Sequence, residues 1–220
     1  MSENELSFEE WFSILSSFDS DDEAWNADER MVIQQPERIA TYLERLFSES
    51  GGLCHDVSPV RLSHMINFFQ GVCGSYWHDV RDKSVPKSQQ ISTVRALSLF
   101  YRDTLDQVCD GGGRTPATNT HDLDDLDGTV YMMWDMNCIE GAAMFPGEEH
   151  LVDPIFEVLT TAIRCKTVAC QLSGLHGLNH LEPYHPKRVH LLIQLYLKEE
   201  RAALSWLNFY AKDAMRGALI

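Results

Sequence analysis

His176 and His180 stand four residues apart. On one helix their imidazoles would project from neighbouring positions of the same side and could chelate a metal ion together. His185 lies across a turn as the next ligand, with His190 and Glu182 nearby; several imidazoles with a carboxylate suit zinc, iron or manganese. Gly177 stands where the metalloprotease pattern requires glutamate, so that mechanism is not supported. On a helical wheel His176 falls beside Leu172 and Ala169, where a core-flanking histidine also packs. Asn179 falls between Val168 and Leu172 on the same wheel, where a buried amide needs hydrogen-bond partners.

Other reactive residue types are arranged less specifically. Cys54, Cys73, Cys109, Cys138, Cys165 and Cys170 are scattered, and no pair has the Cys-x-x-Cys spacing of a zinc or redox motif, so reduced core thiols are expected. The acidic run from His121 to Gly128 fails the calcium-loop test. Starting at Asp122, it places Leu126 where an oxygen ligand is needed and Asp127 where glycine is needed. Asp124, Asp125 and Asp127 suit a helix N-terminus instead, ahead of Val130, Met133 and Trp134. Phosphate loops, nucleotide fingerprints and a nucleophile elbow are missing from the sequence.

The elements that must position these residues read as helices. Behind His185-Pro186, Val189, Leu192, Ile193, Tyr196 and Leu197 recur at helical spacing, with Pro186 suited to the first turn. Ala203, Trp206, Leu207, Tyr210 and Ala214 repeat the pattern almost at once, which predicts two antiparallel helices. Asp153-Pro154 marks another start, with Asp153 as cap and Ile155, Phe156, Leu159 and Ile163 as the buried stripe. Thr167 is the expected cap of a helix through Val168, Leu172, Leu175 and Leu178. Its Ser173, Gly174 and Gly177 form a small-residue side that admits a neighbouring helix closely. This succession resembles HEAT-like repeats over roughly residues 153–215, and the resemblance implies paired helices stacked into a solenoid.

The rest of the chain fits an all-α fold, either a short HEAT-like solenoid or an irregular bundle. Ser7 and Glu10 have capping-box spacing ahead of Phe12, Leu15 and Phe18. Ser58-Pro59 opens a long pattern through Leu62, Met65, Ile66, Phe69, Val72, Cys73 and Tyr76. Val94, Leu97, Tyr101, Leu105 and Val108 make another, ended by Gly111 to Gly113. No segment shows the alternation of a half-buried strand. One elongated helical domain over 1–220 is expected, with residues 110–128 as a loop between an N-terminal half, 1–109, and a C-terminal repeat half, 129–220.

Charge is the second strong feature. The 220 residues carry 33 acids against 18 Lys plus Arg, a net of −15. The first 29 residues hold Glu3, Glu5, Glu9, Glu10, Asp19, Asp21, Asp22, Glu23, Asp28 and Glu29 with no basic residue. Such a field repels phosphates, which disfavours direct nucleic-acid and membrane binding and favours a protein partner with a basic surface. Asp19, Asp21, Asp22 and Glu23 are the expected steering residues, and Trp25 and Trp77 the expected aromatic anchors. The sequence has no membrane-length apolar stretch or signal peptide, so a cytoplasmic location is expected. The expected function is therefore a protein-interaction module: an adaptor, an inhibitor or a toxin-neutralising immunity-type protein, with no cofactor. A metal-dependent enzyme or metal-binding protein built on His176, His180 and His185 is the alternative.

Overall fold

Helices make up most of the described chain. The computed structural model describes residues 5–20, 22–23, 26, 28–32, 34–70, 76–113, 117–136 and 139–218, and no strand occurs among them. Asp21, Trp25, Cys73 and Cys138 lie outside the described residues.

Helix α1 (Phe8–Leu15) opens on the expected capping box: Ser7 Oγ accepts from the Glu10 amide at 3.2 Å and the Glu10 carboxylate accepts from the Ser7 amide at 2.8 Å. It buries Phe8, Trp11 and Leu15. Helix α2 (Pro36–Ser48) starts on proline and presents Ile39, Ala40, Leu43, Leu46 and Phe47 inward. After the short α3 (Ser50–Leu53) come α4 (Pro59–Gln70) and α5 (Tyr76–Val80). Aromatic side chains join these elements. The Trp11 indole donates to Tyr76 Oη at 3.1 Å, and Tyr76 donates onward to the Met31 carbonyl at 2.7 Å. Phe47 stacks on Trp77 at 5.9 Å between ring centroids. Trp77 is fully buried there, so it is a core residue rather than the exposed anchor expected of it: its ring is consumed by packing.

Helix α6 (Lys87–Phe100) passes into a π turn (Tyr101–Leu105) and then α7 (Asp106–Gly113). Tyr101, Leu105 and Cys109 all face inward over this stretch. The expected loop over 110–128 is therefore much shorter, because α7 runs through Gly113 and α8 (Asp125–Tyr131) starts on an Asp124 cap. Two of its aspartates, Asp110 and Asp127, are buried.

Short α9 (Met133–Met136) and α10 (Gly141–Met144) lead to α11 (Val152–Ala162), α12 (Val168–Leu181), α13 (Pro186–Lys198) and α14 (Leu207–Ala214). Pro186 holds the first turn of α13 as expected. One of the two other expected caps is corrected. Leu151, ending a 3-10 turn, precedes α11, which leaves Asp153 inside the helix and paired with Arg188 at 2.5 Å. Thr167 is the N-cap residue of α12, as expected, in an extended backbone; its hydroxyl makes no capping bond and donates to Asp106 instead. The last helix also begins later than the periodicity suggests, at Leu207. Helix α12 packs against α8, α11 and α14, and α6 bridges α2 and α11. Buried residues from Leu6 to Ala214 form one continuous core.

Candidate functional site

The helix that carries both histidines is anchored at its N-terminus by carboxylates from α7. Asp106 Oδ1 accepts from the backbone amides of Lys166 at 2.6 Å and Thr167 at 2.9 Å. Asp110 accepts from Val168 at 2.7 Å and from Ala169 at 3.3 Å. A helix N-terminus has amides without intrahelical partners and a positive dipole end, and these two side chains answer both needs. Asp110 reaches the amides from a left-handed backbone, φ 55°, a conformation that aspartate tolerates better than most residues. Its own amide donates to Asp127 at 3.0 Å. Burial pushes the Asp127 carboxyl up to about 6 and raises that of Asp110.

In the last two turns of α12, His176 and His180 meet Asp135 of α9. Asp135 Oδ2 lies 2.8 Å from His176 Nε2, and Oδ1 lies 3.3 Å from His180 Nε2. The two imidazole centroids are 4.5 Å apart. The far nitrogens also have partners: His176 Nδ1 is 3.0 Å from Tyr210 Oη, and His180 Nδ1 is 2.9 Å from the Glu140 carboxylate. Tyr210 donates to Tyr131 Oη at 3.4 Å, and Tyr131 lies against the His176 ring. Gly174 and Gly177, the expected small-residue side, face Ala162, Ile163, Leu159 and Trp134, and this close approach brings α9 and its Asp135 onto the histidine helix.

Environment separates the two imidazoles. His176 is 3% exposed, and burial lowers its pKa, which favours the neutral ring; one of its nitrogens faces Asp135 and the other Tyr210. His180 lies between two carboxylates, and the Glu140 hydrogen bond raises its pKa. Burial in turn raises the Glu140 carboxyl.

The third expected ligand is elsewhere. His185 Nε2 lies 2.6 Å from the Ala143 carbonyl and its ring stands edge-on to Phe156, because the turn into α13 carries it away from α9. His190 pairs with Glu182 at 3.2 Å in a separate contact. Asp135 and Glu140 supply the carboxylates, and no local spacing in the sequence marked either one; only the fold brings them 36 to 45 positions back to the histidines. Asp106, Cys165 and Cys170 also converge within 4.8 Å. There the Asp106 carboxylate is already engaged by the α12 amides, and hydrogen bonding and burial push the two thiols up, so they pack as neutral core groups. Cys54 and Cys109 are likewise free and buried.

Asp19 is bidentate to Arg61 at 2.7 and 3.0 Å, while Asp22 and Glu23 are exposed, the Glu23 carboxylate accepting from the Asp19 amide at 2.8 Å. The arginines are largely engaged within the chain: Arg30, Arg38, Arg45, Arg61, Arg81, Arg95, Arg102, Arg188, Arg201 and Arg216 each pair with a carboxylate. The exposed aromatics are ones the sequence did not single out. Phe209 is 68% exposed, and Phe145 and Tyr184, at 62% and 47%, touch edge to face.

Comparison of the chain with protein-family models, curated proteins and solved structures found no match.

Proposed function

We propose that the protein works by binding another protein with a basic surface, as an adaptor, an inhibitor or a toxin-neutralising immunity-type protein, on stacked HEAT-like helical pairs. The observation that carries this reading is how the charge is distributed. The arginines are taken up by internal ion pairs, while the acids exceed Lys plus Arg by 33 to 18, so the outward surplus is negative. A negative field speeds encounter with a cationic surface and repels nucleic acid and anionic lipid. No helix among the described residues is long and apolar enough to cross a membrane. Buried free thiols accord with the reducing cytoplasm as the proposed location. Asp22 and Glu23 with Asp19 remain the proposed first contact.

The test is binding of a fluorescent oligo-arginine peptide across a salt series. The charge reversals Asp19→Lys, Asp22→Lys and Glu23→Lys together are compared with an equal reversal at the exposed Glu37, Asp56 and Glu200. The reading expects affinity to fall steeply with salt and the first set to lose more. Equal losses, or binding indifferent to salt, would remove the N-terminal residues from that role.

A further inference from the structure

Two observations distinguish the histidine cluster from an ordinary buried hydrogen-bond network. First, both Nε2 atoms face the Asp135 carboxylate, and the three residues bring one ligand atom each within 4.8 Å of the others. A tetrahedral ion bound to nitrogen and oxygen at about 2.0–2.2 Å holds its ligand atoms about 3.4 Å apart. The Nε2 to oxygen separations are 3.3 Å for His180, close to that value, and 2.8 Å for His176, which must widen by about half an ångström to admit an ion. Second, the outward nitrogens are each held by a group suited to a ligating histidine, Glu140 on His180 and Tyr210 on His176. This outer-shell arrangement fixes ring orientation and leaves Nε2 as the ligating atom. These partners come from segments distant in sequence.

We infer that Asp135, His176 and His180 form a three-ligand site for a divalent transition-metal ion, zinc first, with iron and manganese as the related candidates for a mixed nitrogen and oxygen donor set. The ligands reach the surface on one side: the side chains of Asp135 and His180 are 31% and 20% exposed, while His176 closes the inner wall at 3%. A fourth coordination position therefore opens toward solvent, the arrangement in which water or an incoming ligand completes the shell. Metal and proton compete for the same atoms, since any proton on either Nε2 must leave before the ion binds there. Glu140 and Tyr210 are positioning residues: they touch the imidazoles and not the ion. This inference is independent of the partner-binding reading.

The test uses the full chain, purified without a histidine tag, and cobalt(II) as a coloured stand-in for zinc. Wild type is expected to bind about one cobalt per chain with visible ligand-field bands, displaced by zinc. Asp135→Asn and His180→Gln should each lose the bands while keeping the helical circular dichroism. Glu140→Gln should bind at unchanged stoichiometry with affinity about 10- to 100-fold weaker. The His176 site is more deeply packed, so the two milder variants carry the comparison. Wild type without bands at millimolar cobalt would overturn the inference. So would bands that survive in folded Asp135→Asn and His180→Gln, since the ion would then sit on other histidines.

Discussion

Gly177 rests against the indole of Trp134, so that a Cβ built on residue 177 would fall 2.8 Å from the indole Cγ and 2.6 Å from Leu159 Cδ2. Gly174, one turn earlier, faces Ile163, whose backbone nitrogen would lie 2.9 Å from an added Cβ. Alanine is favoured over glycine in a helix by about 1 kcal/mol, yet overpacking a close contact costs about 1–3 kcal/mol. Gly177→Ala should therefore destabilise. Gly174→Ala should do so more, because a backbone atom cannot rotate away as a side chain can. Urea denaturation of both variants measures this, and a gain in stability for either would show that the helices are free to separate.

The α7 carboxylates give a second expectation. Asp110→Ala removes acceptors from the Val168 and Ala169 amides and should cost about 1–3 kcal/mol. Asp110→Asn keeps an acceptor and tolerates the left-handed backbone, and Asp110→Gly keeps only the backbone freedom. The losses should rank Asn, Gly, Ala from smallest to largest. Equal losses would assign the effect to the carboxylate alone and none to backbone strain.

Asp127 gives the protein a particular response to pH. Its folded carboxyl, pushed up to about 6 by burial, holds a proton that the unfolded chain releases near 4. Its contribution is therefore fully favourable below about 4 and is lost as pH rises through about 6. Asp79 is pushed to about 6 in the same way, so wild type alone does not isolate the effect. The difference between Asp127→Asn and wild type does. It should shift in favour of the variant by about 1–2 kcal/mol between pH 4 and 7, allowing for solvent screening. A difference that stays flat over this range in chemical denaturation would exclude the titration.

Tyr101 ties the π turn to two helices. Its hydroxyl is 2.8 Å from Ser173 Oγ and accepts from the Trp134 indole at 3.2 Å, all buried. Tyr101→Phe leaves both partners wanting and should cost about 1–3 kcal/mol. Tyr101→Phe and Ser173→Ala together should cost less than the sum of the two, and a double-mutant cycle reads that coupling. Strict additivity would mean that the pair is not bonded.

Much of the architecture is legible in the sequence because apolar spacing and caps are local signals. The Ser7 box, the Pro186 start, the helix N-terminus at Asp124 to Asp127 and the narrow Gly174–Gly177 side all stand in the structure as read. The errors come from longer-range effects. Asp110 read as a loop residue because its partners, the amides of Val168 and Ala169, belong to a distant segment. Trp77 read as a spare aromatic because the Phe47 that stacks on it lies on another helix. The histidine pair was visible at i, i+4, whereas Asp135 and Glu140 were not, since a carboxylate delivered by tertiary packing leaves no local pattern.

The tie between α7 and α12 also limits how the histidine cluster can be transplanted. Residues 131–210 contain both imidazoles, both carboxylates and both tyrosines, and so look like a portable cassette. Moved without Asp106 and Asp110, however, the first turn of α12 would arrive on a new scaffold with the amides of Lys166 to Ala169 unanswered. A graft that preserves the cluster must bring a matching pair of acceptors with it, held at the same height above the helix.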